Sequence, residues 1–201
     1  CVNEPKARWD CPCPSCARNR AMTSTSILIA GPRDCVQEIK ASAATFKKSL
    51  RENASYRTAA RYLFVRSIRK LTLRFSQILW ENDEKLSKIA GLTGAIDEEL
   101  ETLDFPHELP DISAVEKSLE KLEKLSMELE DSFLYDSIPV NQIRNVSSWA
   151  RMKSVEGKNT VIIENADRML ENVRNALLKI LEEPPSGTVF ILTTSRKNAI
   201  M

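Results

Sequence analysis

Apolar and polar positions along the chain follow two periods. Near the C-terminal end, two short runs rich in β-branched residues, Thr160 to Ile163 and Thr188 to Thr194, bracket a segment with apolar residues at helical spacing: Val173, Ala176, Leu177 and Ile180 or Leu181. The pattern predicts a strand, a helix from about Asn172 that Pro184-Pro185 stops, and a second strand. Such a βαβ unit has parallel strands, so the polar residues closing them, Glu164 and Asn165 on one and Thr193 and Thr194 on the other, share one sheet edge. Ligand chemistry in open α/β sheets sits at that edge. Ile27 to Ala30, ended by Gly31-Pro32, reads as a third strand.

Between these strands the period is helical and the charge is segregated. Lys40 to Arg74 carries ten basic residues against the single acid Glu52, and no proline or glycine intervenes before Gly91. This predicts one long helix from about Ala41 to Trp80, with Phe46, Leu50, Phe64, Ile68, Leu71, Phe75 and Leu79 on a face that Arg57 and Arg61 interrupt. Asp97 to Asp131 holds thirteen acids and three lysines. It reads as an acidic helix around Asp97 to Leu103, a break at Phe105-Pro106-His107-Glu108-Leu109-Pro110, and a helix opened by a capping box, Ser113 with Glu116, bearing Val115, Leu119, Leu122, Leu125 and Leu129. Three uses of the basic helix follow: pairing with the chain's own acidic helices in a hairpin or small bundle, contact with DNA, or docking of another protein. The lone His107, in a proline-flanked linker, reads as a solvated loop residue, and no Ser-His-Asp or Cys-His arrangement can be built on it.

Composition adds less. With 201 residues, a net charge of +1 and 42% hydrophobic residues, the chain suits one or two ordinary soluble domains. No apolar run approaches the roughly 18 residues of a membrane span, and the N-terminus lacks an apolar signal segment, so a cytosolic protein is the default. A chain that begins with Cys1 and stops at Met201 just after a strand is expected to be part of a longer one. Of five cysteines, four cluster as Cys1, Cys11, Cys13 and Cys16, while Cys35 stands alone. In a cytosolic chain such a cluster favours metal over disulfides, and Cys13-Pro14-Ser15-Cys16 has zinc-knuckle spacing. Four thiolates would complete a closed, structural tetrahedral site, whereas Cys11-x-Cys13 is tight enough that Cys11 or Cys1 could stay free.

The string NALLKILEEPPSGTVFILTT, Asn175 to Thr194, is similar to the segment following the Walker B strand in bacterial DNA polymerase III clamp-loader subunits of the AAA+ class. Upstream, VIIENADRM, Val161 to Met169, resembles a Walker B strand whose usual Asp-Glu pair is replaced by Glu164 and Asn165. The resemblance implies a partial AAA+, P-loop NTPase-like parallel sheet with flanking helices, preceded by a Cys-rich zinc module and interrupted by an all-helical insertion without a family counterpart. The implied division is 1–39, zinc module and start of the core; 40–137, insertion; and 138–201, core with degenerate Walker B and sensor 1 strands. Ile138 to Arg144 resembles the return to the sheet-flanking helix, with Asn141 as its cap and Ile143, Val146 and Trp149 on the core face.

The family also carries a four-cysteine zinc site, one cysteine distant and three close together, which supports Cys1, Cys11, Cys13 and Cys16 as ligands. The phosphate-loop pattern G-x-x-x-x-G-K-[ST] is absent from these residues. In active relatives the Walker B Asp holds magnesium's hydration shell and the next Glu polarises the attacking water. Glu164 could still accept from magnesium-bound water, but Asn165 has no titratable carboxylate and can only orient a water. ATP and magnesium are therefore doubtful here. Thr194 occupies a sensor 1-like position, or else simply closes a strand with Thr193. Loss of the second acid resembles the non-hydrolysing delta-prime subunit more than the gamma/tau motor. The implied role is a scaffold that, with gamma/tau and delta, loads the sliding clamp at primed DNA. A motor with another base, and a helical interaction module on an AAA+ scaffold, are the alternatives.

Overall fold

The computed structural model describes residues 11–105, 107–154, 157–196 and 198. Three parallel strands, β1 (Ile27–Ala30), β2 (Asn159–Ile163) and β3 (Thr188–Leu192), form one sheet in the order β1-β2-β3. The register pairs Ile27 with Thr160 and Ala30 with Ile163, then Thr160 with Val189 and Ile163 with Leu192. Val161 and Ile163 share one face of the central strand and are fully buried, whereas Thr160 and Ile162 on the other face are half-buried. The last strand ends at Leu192, so Thr193 and Thr194 lie beyond it as loop residues.

Helix α1 (Pro14–Ala21) precedes β1; α2 (Cys35–Arg51), α3 (Arg57–Leu73), α4 (Leu86–Glu101), α5 (Ile112–Phe133) and α6 (Val140–Ala150) lie between β1 and β2; and α7 (Glu171–Glu182) joins β2 to β3. The expected helix from Ala41 to Trp80 is two helices. The break is a Schellman closure: Asn53 takes a left-handed conformation at φ 47°, its amide bonds the Leu50 carbonyl at 3.3 Å, and the Ala54 amide reaches back to Ser49 at 2.9 Å. Asparagine tolerates that conformation, so no glycine was needed to end α2. The two helices then fold back antiparallel, with Ser42 Oγ 2.9 Å from Ser67 Oγ and the Phe46 and Phe64 rings 6.2 Å apart.

Three further expectations shift. The acidic helix expected at Asp97 begins at Leu86, because Ile89, Ile96 and Leu100 bury one face and outweigh the cost of Gly91 and Gly94. Helix α5 is capped by Asp111, whose carboxylate accepts from the Ala114 amide at 3.0 Å; Ser113 is already helical and Glu116 points to Arg51 instead. Helix α6 starts directly after Pro139, whose extended backbone ends the preceding segment, so Asn141 is an internal residue accepting from Arg144 rather than a cap.

Basic and acidic helices pair within the chain. Lys47 bonds Glu120 at 3.1 Å and Arg51 bonds Glu116 at 2.6 Å, joining α2 to α5, while Arg69 of α3 meets Asp104. The two pairs between α2 and α5 are exposed on at least one side and contribute about 0–1 kcal/mol each, so they set register more than stability, while Arg69 and Asp104 are partly buried. The stabilising work falls to the core between the helices, where Phe46, Phe64, Ile68, Leu71, Val115, Leu119 and Leu122 are essentially inaccessible. Arg61, placed on the apolar face by its spacing, is 8% exposed and donates to the carbonyls of Leu103, Asp104 and His107 at 2.9, 2.7 and 2.6 Å. It therefore satisfies the chain leaving α4 rather than meeting solvent.

Candidate functional site

The carboxyl edge of the sheet brings together residues from β1, β2, β3 and α3. Glu164 follows β2, and its amide bonds the Ala30 carbonyl at 2.9 Å. Its side chain is not open to a ligand. Arg74, just past the end of α3 and 3% exposed, bonds Glu164 Oε2 through Nη2 and the Pro32 carbonyl through Nη1. Lys70, one turn earlier, lies 3.3 Å from Glu164 Oε1 and also bonds Glu38 of α2 at 2.8 Å. Burial works against the Lys70 charge, but the bond to Glu38 and the field of Glu164 outweigh it and hold the ammonium above its ordinary pKa. Both oxygens of the Walker B-like acid thus face protein cations. The Arg74 carbonyl in turn accepts from the Trp80 indole at 2.9 Å.

Gly31 is part of this arrangement. A Cβ there would stand 2.9 Å from Arg74 Cζ and 3.2 Å from Glu164 Cβ, so the close approach of guanidinium and carboxylate requires a residue without one.

Asn165 adopts a left-handed conformation at φ 49°, and its amide donates to Thr193 Oγ1 at 3.2 Å. Thr194 does not stand alone at the edge: its hydroxyl donates to Asp167 Oδ1 at 3.0 Å, and the amide and hydroxyl of Ser195 reach the same carboxylate at 3.3 and 3.2 Å. Desolvation opposes ionisation of Asp167, but these donors together overcome it and hold the carboxyl below the usual range. Asp167, Lys70 and Arg74 were missed in the sequence. Asp167 carried a weak signal, as an acid three positions past Glu164; the two cations carried none, since their place beside β2 depends on how α3 folds back.

The structure brings Cys11, Cys13 and Cys16 together, their sulfurs all within 4.8 Å of one another, and places Cys35 elsewhere. Cys1 lies outside the described residues. Cys13 caps α1, its sulfur accepting from the Cys16 amide at 3.4 Å with Pro14 in the first turn. That amide and the neighbouring thiols lower the Cys13 pKa to about 7. Three sulfurs this close fit one face of a tetrahedral thiolate site, where sulfurs about 3.8 Å apart would follow from a Zn–S bond of about 2.3 Å. A metal bound there would be held by these three thiolates and one further ligand. Helix α1 is anchored to α3, where the Tyr62 hydroxyl and Arg69 donate to the Arg20 and Ala21 carbonyls at 3.2 and 2.7 Å.

Cys35, at the start of α2, is buried, which pushes its thiol up to about 12 and makes it inert. Its amide and that of Val36 donate to Glu130 of α5 at 2.7 and 3.1 Å, so a carboxylate from another helix caps α2. His107 is exposed and engages through its backbone, its carbonyl accepting from Arg61 and its amide donating to the Asp104 carbonyl at 3.1 Å.

A family model described as "DNA polymerase III, delta subunit" matches residues 104–201. The DNA polymerase III subunit delta' of Buchnera aphidicola subsp. Baizongia pistaciae is 39% identical over 57 residues, covering 28% of this chain and 17% of that protein. The chain thus spans less than a fifth of that relative. No solved structure matches the chain significantly. The α/β architecture with its three-stranded parallel sheet fits a partial AAA+ fold, and among the described residues no helix is long and apolar enough to cross a membrane. Both matches are to DNA polymerase III subunits of the delta kind, and the family match takes in the segment that holds β2, α7 and β3.

Proposed function

We propose that the protein is a non-hydrolysing, delta-prime-type subunit of the DNA polymerase III clamp loader, a scaffold that acts in the cytoplasm with gamma/tau and delta subunits to load the sliding clamp at primed DNA. The observation that carries this reading is the state of Glu164. A Walker B acid must accept from magnesium-bound water, yet this one is saturated by Lys70 and Arg74, and the next residue is an amide, Asn165, that cannot serve as a base. The cations come from the helical block 40–137, so that insertion acts on the core, between the segments 1–39 and 138–201, as an internal plug at the nucleotide edge. Thr194, engaged with Asp167, is then a structural remnant of sensor 1 rather than a phosphate sensor.

One zinc ion, held by Cys11, Cys13 and Cys16 with Cys1 as the fourth ligand, completes the reading as a structural site, since four thiolates leave no position for a substrate. ATP and magnesium have no place in it. Co-purification of the full-length protein with its motor and delta partners tests the assignment: it should enter the heteropentameric complex and be required for loading the clamp on primed DNA. A complex that assembles and loads clamps without it would sink the proposal.

A further inference from the structure

A cavity of about 510 Å³ opens where the 79–83 turn, the 135–139 segment, the first turn of α6 and the start of α7 meet. It lies apart from Glu164 and from the cysteine cluster, and two of its polar groups have no partner. Ser137 Oγ is buried without a hydrogen bond, and Gln142 is 5% exposed, its side-chain amide making no hydrogen bond among the described residues. A buried hydroxyl without a partner is costly, so a ligand that bonds Ser137 recovers that cost, and the Gln142 amide is free to bond the same ligand. Trp80 and Tyr135 supply apolar wall.

The charge of the lining selects the ligand. Glu81 and Asp83 are the charged residues that line the cavity, both exposed at its mouth. Asp83 uses one oxygen on the Lys85 amide at 2.9 Å. The chain's own Lys85 already leans over the mouth, donating to the Tyr135 hydroxyl at 2.9 Å with its ammonium 5.4 Å from the ring. The lining itself carries two negative charges and no positive one, while the cations Lys85 and Arg144 stand at the rim on Tyr135 and Asn141. A phosphate or carboxylate ligand is repelled; a cation is favoured. Several separated acceptors, a hydroxyl, an amide carbonyl and carboxylates, suit the planar five-donor fork of guanidinium better than a single ammonium. The volume exceeds one side chain and accommodates the peptide that carries it.

We propose that this pocket receives an arginine side chain presented by a partner protein, with the guanidinium on Gln142 and Ser137 and the charge facing Glu81 and Asp83. The inference does not depend on the clamp-loader reading. It is tested on the full ¹⁵N-labelled chain by titrating N-acetyl-arginine methylamide, with the neutral citrulline analogue and adenosine as competitors for the same space. The Gln142 side-chain amide and Trp80 indole resonances should shift saturably with the arginine probe, and the citrulline analogue should bind about tenfold more weakly. The pair Glu81→Gln and Asp83→Asn should weaken the arginine probe about tenfold without lowering the unfolding temperature, asparagine retaining an acceptor for the Lys85 amide. Gln142→Leu should abolish the shift while leaving stability equal or higher, which separates a binding role from a packing one. No saturable shift, citrulline or adenosine binding as tightly as arginine, or indifference to the neutralising substitutions overturns the proposal.

Discussion

Arg74 and Glu164 illustrate how much depends on a single pair. The guanidinium is buried, uses Nη1 and Nη2, and leaves Nε without an acceptor, so the pair is imperfectly compensated for its loss of water. Removing one partner is costly and removing both is not. Arg74→Met should destabilise by about 3 kcal/mol, whereas Arg74→Met with Glu164→Leu should lie within about 1 kcal/mol of the parent. Denaturant unfolding of the single and double variants measures this, and additive losses would contradict the pairing. The cysteines give a second residue-scale prediction. In metal-free chain at pH 8, Cys13, with a pKa of about 7, is mostly thiolate and should alkylate readily, while Cys35, near 12 and buried, should stay protonated and unmodified until the chain unfolds. Lowering the pH below 7 should slow Cys13 by protonating it, and bound zinc should protect it at either pH. Mass spectrometry of the alkylated peptides reads each site; early modification of Cys35 would contradict its burial.

At the scale of elements, the sequence was most legible where one physical signal dominated. The βαβ unit from Asn159 to Leu192 was readable because β-branched runs and a helical stripe ending at Pro184 all point the same way. Helix boundaries were less legible. Asn53 ended α2 without a glycine or proline to mark it, and Asp111 outcompeted Ser113 as a cap because it lies in extended backbone one residue ahead of the helix. The segregated charge of the helices between β1 and β2 left three readings open, and the structure resolves the geometry behind them: Lys47, Arg51, Arg69 and Lys70 meet acids of the same chain. The α2–α3 face therefore should not bind DNA with the steep salt dependence that several phosphate contacts produce. Mobility-shift titrations of the isolated chain between about 50 and 200 mM salt check this, a thousandfold loss of affinity across that range being the contrary result.

For the whole molecule, the parallel sheet and the cysteine cluster could be anticipated from spacing, and the substitution of Asn165 for an acid pointed to a lost reaction. What could not be anticipated is that a helix between β1 and β2 supplies the groups occupying the remaining acid. Lys70 and Arg74 lie 94 and 90 positions before Glu164, and only the reversal at Asn53 carries α3 back across the carboxyl edge. A contact of that sequence separation leaves no local signature. The central claim is therefore that the carboxyl edge of the sheet, proposed as a relic of a nucleotide site, is closed by the chain itself. Its most direct test is steady-state ATP hydrolysis by the complete protein, assembled with partner subunits whose own hydrolytic sites have been inactivated. The account predicts turnover at the buffer background, unchanged by Glu164→Gln; measurable turnover that Glu164→Gln abolishes would contradict it.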